Sequence, residues 1–206
     1  EEKNSSVLFL DLGDSYYQAS FVPDSEIESS NEKAFAVHEG FNLTDLKFKI
    51  LGDQDLSGGI ETLKKIISSA KYKIIGTNLK SSTDIKHEKF SQFSFHQHQF
   101  YIIGVTNPDT IQPQYKNLFS NPQKAIQNIV KQLKEENDYD EKNPFHHIIL
   151  LSHSGQIPEK DLASKFPQIN WILGSHSMNF TQKPLKINKT SLAQMLSRNH
   201  YLGKIL

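Results

Sequence analysis

The stretches Leu150-Leu-Ser-His-Ser-Gly155 and Trp171-Ile-Leu-Gly-Ser-His-Ser-Met178 are the most informative part of this 206-residue sequence. In each, an apolar run typical of a buried strand stops at a histidine inside a Gly/Ser turn. These histidines, His153 and His176, are predicted at the carboxyl ends of consecutive strands, where α/β proteins place functional groups. An imidazole there is well placed to ligate a metal ion, because the strand fixes its direction and the loop leaves it accessible.

Composition excludes several classes of function. The chain is 36% hydrophobic and 22% charged, as globular domains are, and its 23 Lys+Arg balance its 23 Asp+Glu. We therefore predict no nucleic-acid partner, because no net field attracts a polyanion. Cysteine is absent, which excludes disulfides and thiolate chemistry. No apolar run approaches the roughly 18 residues that a membrane span needs.

Strand-like and helix-like segments alternate along the chain, which predicts an α/β fold in one domain over residues 1–206. Residues 22–33 are polar and are predicted as a loop. Helices are predicted at 32–41, 60–70, 122–135 and 158–165, a hairpin at 90–95 and 100–105, and further strands at 7–10, 46–51, 74–75, 147–152, 169–173, 185–187, 191–196 and 201–206.

Acidic residues follow the first two of these strands, in Gly13-Asp14 and Gly52-Asp53. If the strands lie side by side, Asp14, Asp53, His153 and His176 converge at one sheet edge. Two carboxylates and two imidazoles suit a divalent metal such as Mn²⁺, Zn²⁺ or Fe²⁺. The sequence therefore predicts a site for one such ion, or for none if these side chains have only local structural roles.

The order of these motifs resembles the calcineurin-type metallophosphoesterases, and in particular the catalytic domain of the bacterial 5'-nucleotidase and 2',3'-cyclic phosphodiesterase family. Four stretches carry the resemblance: Leu8-Phe-Leu-Asp-Leu-Gly-Asp-Ser15, Leu51-Gly-Asp-Gln-Asp55, Leu150-Leu-Ser-His-Ser-Gly155 and Ile172-Leu-Gly-Ser-His-Ser177. The resemblance implies a four-layer α/β/β/α sandwich with two mixed β-sheets. It also implies a site for two metal ions that clamp a phosphate while a bridging hydroxide attacks.

Carried over residue by residue, the resemblance makes Asp14 the carboxylate that bridges both metals, and Asp53, His153 and His176 ligands of the second metal. Gln54 stands at the position of the family's catalytic histidine, and an amide cannot act as a general acid. Met178 replaces a histidine ligand of the first metal, which makes that position degenerate. The family's opening Asp-x-His strand and its C-terminal substrate-specificity domain have no counterpart in the sequence.

These departures favour a catalytically impaired domain that binds a phosphorylated small molecule or a protein partner. The alternative is an active metal-dependent phosphohydrolase acting on nucleotides or related phosphoesters, and a third is a purely structural domain. By analogy with the family, we expect an exported protein, periplasmic or at the cell surface.

Several other residues have two possible interpretations. His153 and His176 are either ligands or strand-end histidines bonded to backbone carbonyls, and Asp14 alone is ordinary turn chemistry. Asp53 and Asp55 could form a solvated acidic turn. Further residues are expected to have structural or surface roles: Asp11, His96, His98, His146, His147 and Trp171. His96 and His98 alternate on a strand-like run, so they share one face, and metal binding there is the alternative.

Overall fold

The computed structural model describes residues 7–177, 179 and 181–195, which form two β-sheets with helices on their outer faces. The smaller sheet has the order β1-β2-β3 and is parallel, with β1 at Leu10–Asp11, β2 at Phe48–Lys49 and β3 at Lys73–Ile74. The larger sheet is mixed and has the order β4-β5-β6-β7-β9-β8. Its strands are β4 (Phe90–Phe95), β5 (His98–Thr106), β6 (His146–His153), β7 (Ile169–Gly174), β8 (Leu185–Ile187) and β9 (Thr190–Gln194).

Within the described ranges, four α-helices cover the sheets: α1 (Ile27–Leu43), α2 (Ile60–Ser68), α3 (Pro122–Glu136) and α4 (Gln156–Lys165). The best-defined helix start is that of α3, where the Asn121 side chain accepts a hydrogen bond from the Lys124 N–H and Pro122 occupies the first turn. The buried face of α3 carries aliphatic residues at helical spacing: Ile126, Ile129, Val130 and Leu133.

Three apolar clusters define the layers of the fold. One packs α1 and α2 on the small sheet, and a second packs α3 and α4 on the large sheet. The third lies between the two sheets, where Phe48, Ile50 and Ile75 meet Ile102 and Leu151. This is the predicted α/β/β/α sandwich, although the small sheet is parallel rather than mixed.

The predicted elements are largely confirmed, with one clear error. Residues 22–33 were predicted as a loop, but α1 already begins at Ile27 and runs to Leu43. Its first turns carry the polar sequence Ile-Glu-Ser-Ser-Asn-Glu because they face solvent, so they give little apolar periodicity. The strands predicted at 7–10 and 46–51 are paired only at Leu10–Asp11 and Phe48–Lys49. Residues 201–206, also predicted as a strand, lie outside the described residues.

Candidate metal centre

The two sheets meet at the carboxyl ends of four strands. Asp14 follows β1, Asp53 follows β2, His153 is the last residue of β6, and His176 follows β7. Because β1 and β2 belong to the small sheet and β6 and β7 to the large one, the cluster spans the interface between the sheets.

Asp14, Asp53, His153 and His176 offer ligand atoms that all lie within 4.8 Å of one another. The Nε2 atom of His153 lies 3.1 Å from Asp14 Oδ2 and 3.2 Å from Asp53 Oδ1. The Nδ1 atom of His176 lies 3.1 Å from Asp53 Oδ1 and 3.2 Å from His153 Nε2. Ligands around a tetrahedral ion with bonds of 2.0–2.2 Å are about 3.3–3.6 Å apart, which is close to these four distances, so the donor set suits a divalent cation.

Hydrogen bonding fixes which nitrogen of His153 faces the cluster. Nδ1 lies 2.8 Å from the Leu12 carbonyl oxygen, to which it donates, and this leaves Nε2 free toward the two carboxylates. Metal-ligating histidines are commonly oriented by such a bond. The interpretation of His153 as a histidine bonded to a backbone carbonyl therefore describes its Nδ1 atom, and Nε2 is the atom that could ligate a metal. His176 differs, since its Nδ1 faces Asp53 and His153, and its side chain is one-third exposed.

The backbone at two of these positions is in the left-handed region, with φ of 64° at Asp14 and 77° at His176. Non-glycine residues adopt such conformations at a cost and keep them only when their surroundings determine them. At Asp14 the surroundings are clear: its Oδ1 accepts the N–H of Gln54 at 2.8 Å. Gly52 packs directly beneath, where a Cβ would collide with the Asp14 carboxylate and the His153 ring.

Asp55 is a residue whose role the sequence prediction missed. It was considered a solvated acidic turn residue, but it is 1% exposed. Its carboxylate accepts the backbone N–H groups of residues 14, 15, 16 and 52 at 2.9–3.2 Å. It also pairs with the fully buried Lys49 at 3.2 Å, and Lys49 makes a second ion pair with Asp11. Asp11, expected to be structural, thus belongs to the same support beneath the Asp14 loop.

The pKa values of Asp14, Asp53 and His153 depend on one another, because the three side chains are in contact. Burial raises the pKa of Asp14, although its hydrogen bond with His153 acts in the opposite direction. Burial also acts to raise the pKa of Asp53, but hydrogen bonds from His153, His176 and Ser20 outweigh it and hold that pKa below its ordinary value. Burial alone would lower the pKa of His153, whereas hydrogen bonds to Asp14 and Asp53 raise it to about 10.

A pH dependence of stability follows for the metal-free protein. The pKa of His153 is about 6.5 in the unfolded chain and about 10 in the folded protein. The protonated imidazole therefore stabilises the fold fully below pH 6.5, and this contribution is lost as the pH rises toward 10. We expect the free energy of unfolding, measured with urea in the presence of EDTA, to fall between pH 7 and pH 10. His153→Gln should remove most of this slope, because an amide does not titrate. A slope unchanged in this variant would contradict the assignment.

The Gln54 side chain contacts the loop that follows Asp14. In the amide orientation that satisfies both ends of the group, its nitrogen donates to the carbonyls of Tyr17 at 2.9 Å and Gln18 at 3.2 Å. The backbone N–H, rather than the side chain, contacts Asp14. Gln54 therefore braces the loop that follows Asp14.

The remaining sequence candidates lie elsewhere. Met178 is outside the described residues. His98 and His147 are not simple surface residues, because they are half-buried and hydrogen-bonded to each other at 2.7 Å on neighbouring strands, where they stack with Phe100. Trp171 is half-buried within β7.

Comparisons with known proteins agree with this architecture. No family model matches the chain. Protein 5NUC of Lutzomyia longipalpis is 29% identical over 188 residues, which are 87% of this chain and 31% of that protein. The 5'-nucleotidase of Mus musculus is 27% identical over 190 residues, which are 87% of this chain and 30% of the relative.

Solved structures extend the comparison to the fold. A calcineurin-like phosphoesterase, YfkN from Bacillus subtilis, superposes with a TM-score of 0.71 at 15% identity, covering 92% of this chain and 67% of that one. This chain has the metallophosphoesterase fold. Sulfate thiohydrolase SoxB from Thermus thermophilus superposes with a TM-score of 0.73 at 17% identity. The superposition covers 91% of this chain and 33% of the SoxB chain. A 5'-nucleotidase precursor from Thermus thermophilus superposes with a TM-score of 0.68 at 18% identity, and the superposition covers 92% of this chain and 39% of the precursor.

The resemblance predicted from the sequence is thereby confirmed, and the chain is a metallophosphoesterase-fold domain similar to 5'-nucleotidases. It spans about a third of the length of the curated relatives it matches. In the described ranges, no helix has both the length and the apolar character needed to cross a membrane.

Proposed function

We propose that this 5'-nucleotidase-like metallophosphoesterase domain binds one divalent metal ion through Asp14, Asp53, His153 and His176 and uses it to hold a phosphoester. The observation that carries the proposal is the convergence of these four side chains within 4.8 Å. When bound, such an ion acts as a Lewis acid that polarises a phosphoryl oxygen.

The residues of the chain supply the rest of the proposed site. Asp53, with a lowered pKa, provides a permanently ionised ligand, and Asp14 adds a second carboxylate. His153 presents Nε2 because Nδ1 is committed to the Leu12 carbonyl. His176, one-third exposed, is the ligand nearest to solvent and so marks the side from which a phosphorylated molecule would enter.

We further propose that hydrolysis by this domain is weak or absent. Gln54 occupies the position of the family's catalytic histidine, and its amide is engaged by the Tyr17 and Gln18 carbonyls. A neutral amide cannot protonate a leaving oxygen, and a missing general acid typically costs about 10²–10⁴-fold in rate. The role of the domain would then be to bind a phosphorylated small molecule or a protein. The active phosphohydrolase is the alternative, favoured by the convergence of the four candidate ligands.

Two coarser features of the chain belong to the same proposal. We propose that residues 1–206 belong to one domain, because the two sheets share the apolar cluster that lies between them. The similarity to a protein named a 5'-nucleotidase precursor supports export to the periplasm or cell surface.

The test combines metal binding with turnover. The protein is incubated with Mn²⁺, Zn²⁺ or Co²⁺, the bound metal is counted, and hydrolysis of an aryl phosphodiester and of 5'-AMP is measured. We expect about one equivalent of metal and little turnover. Metal at less than a tenth of an equivalent would leave only the structural domain. Robust turnover abolished by Asp14→Ala would establish the active alternative instead.

Restoring a proton donor is expected to raise this low activity. Gln54→His should increase turnover of the aryl phosphodiester by about 10²-fold at saturating Mn²⁺, because a general acid contributes 10²–10⁴-fold. Gln92→His, on the exposed part of β4, is the matched control and should change nothing. An unchanged rate in Gln54→His, with metal still bound, would mean that the absence of this histidine does not limit the reaction.

A further inference from the structure

A buried chain of side-chain hydrogen bonds runs behind His176. We propose that Glu159, Gln194 and Ser177 are positioning residues that hold His176 in the direction needed for metal ligation. This inference deepens the proposed metal site and rests on it.

Two of the three residues are fully buried, since Glu159 in α4 and Gln194 in β9 are each 0% exposed. The Gln194 amide nitrogen donates to Glu159 Oε2. Gly174, at the end of β7, lies against this pair, and a Cβ at that position would collide with both the carboxylate and the amide. The glycine of the Gly174-Ser-His176 motif is therefore required by this contact.

The carboxylate determines which way the amide points. An ionised carboxylate only accepts hydrogen bonds, so the amide nitrogen of Gln194 faces Glu159 and the amide oxygen faces the opposite way. That oxygen accepts the hydroxyl of Ser177 at 2.7 Å. Through Gln194, the buried Glu159 carboxylate therefore fixes the acceptor of Ser177, the residue that directly follows His176.

His176 needs support on both sides because its φ of 77° is unfavourable for a residue with a side chain. On the preceding side, the Ser175 hydroxyl donates to the Leu12 carbonyl at 2.7 Å, and the Ser175 N–H donates to the Ser152 carbonyl at 3.0 Å. On the following side, the bond from Ser177 to Gln194 is the matching constraint. Without it, the ring of His176 gains orientations that do not face Asp53.

The experiment measures Co²⁺ affinity and the visible absorption of bound Co²⁺, at pH 8 so that Glu159, whose pKa burial raises to about 7, is ionised. Ser177→Ala is expected to weaken Co²⁺ binding about 10- to 100-fold and to change the absorption, as loss of ligand-orienting groups does. Glu159→Leu should do the same, whereas Glu159→Gln should bind like wild type, because its amide oxygen still accepts from Gln194. Ser164→Ala, on the exposed face of α4, is the control and should have no effect.

Thermal unfolding of each variant separates misfolding from misplacement, and Ser177→Ala is expected to unfold within a few degrees of wild type. Equal Co²⁺ affinity and absorption for Ser177→Ala and wild type would overturn the inference. If wild type binds no Co²⁺, the proposed function fails, and the imidazole NMR signals of His176 in the metal-free protein then decide this inference alone. Shifted or broadened His176 signals in Ser177→Ala support it, and unchanged signals overturn it.

Discussion

His153→Ala is expected to abolish stoichiometric metal binding, with affinity for Mn²⁺ or Zn²⁺ reduced by more than about 100-fold. Loss of groups that merely orient ligands costs 10–100-fold, and His153 is itself central to the cluster. Its Nε2 lies within 3.2 Å of Asp14 Oδ2, Asp53 Oδ1 and His176 Nδ1. Calorimetric titration of the purified protein measures the effect.

His96→Asn is the matched control for this experiment. His96 is an exposed histidine in the turn between β4 and β5 with φ of 52°, which asparagine tolerates, so its replacement should leave both fold and affinity unchanged. Equal affinity in His153→Ala and wild type would mean that the ion binds elsewhere, and the proposed site would be wrong. Equal losses in both variants would indicate adventitious binding to surface histidines.

Asp55→Ala is expected to destabilise the fold by about 3–5 kcal/mol, which is the usual cost of removing one partner from a buried ion pair. The change removes one of the two ion pairs of Lys49, which is 0% exposed, and leaves only the pair with Asp11. It also removes the acceptor of four backbone N–H groups in the Asp14 and Gly52 loops. Urea unfolding of the metal-free protein at pH 7 measures the loss.

The control for this prediction is Asp109→Ala, which removes a carboxylate that is 88% exposed and should cost less than about 0.5 kcal/mol. At low temperature, any folded Asp55→Ala protein should also bind metal more weakly, because the Asp14 loop loses its support. A destabilisation below about 1 kcal/mol would show that Asp11 alone compensates Lys49 and that the loop holds its shape by other contacts.

Much of the architecture could be predicted from the sequence because its signals are local. The apolar run before His153, ended by a Ser/Gly turn, is typical of a strand buried on both faces, and β6 indeed lies between β5 and β7. The helix predicted at 122–135 was found at Pro122–Glu136, since its apolar spacing and its Asn-Pro start are both read within one segment. The start of α1 was missed because its first turns are exposed and carry no periodicity.

The candidate site was predictable only in part. Two carboxylates and two imidazoles placed at strand ends indicated a metal centre. The structure brings these four side chains together: Asp14, Asp53, His153 and His176. The role of Asp55 could not be distinguished from that of Asp53, because both are aspartates in the same short turn after β2. Its inward direction depends on Lys49 and on the N–H groups of a loop some 40 residues away in sequence.

The sequence by itself determined the order of strands and helices and the chemistry available at each strand end, because hydrophobic periodicity and turn composition act over a few residues. The tertiary structure decided that strand ends from two different sheets share one cluster, and that Glu159 and Gln194 lie behind it. It also decided that the Gln54 side chain faces the Tyr17 and Gln18 carbonyls. These outcomes depend on how the sheets pack through Phe48, Ile50 and Ile102, which is a contact between distant segments that no local pattern encodes.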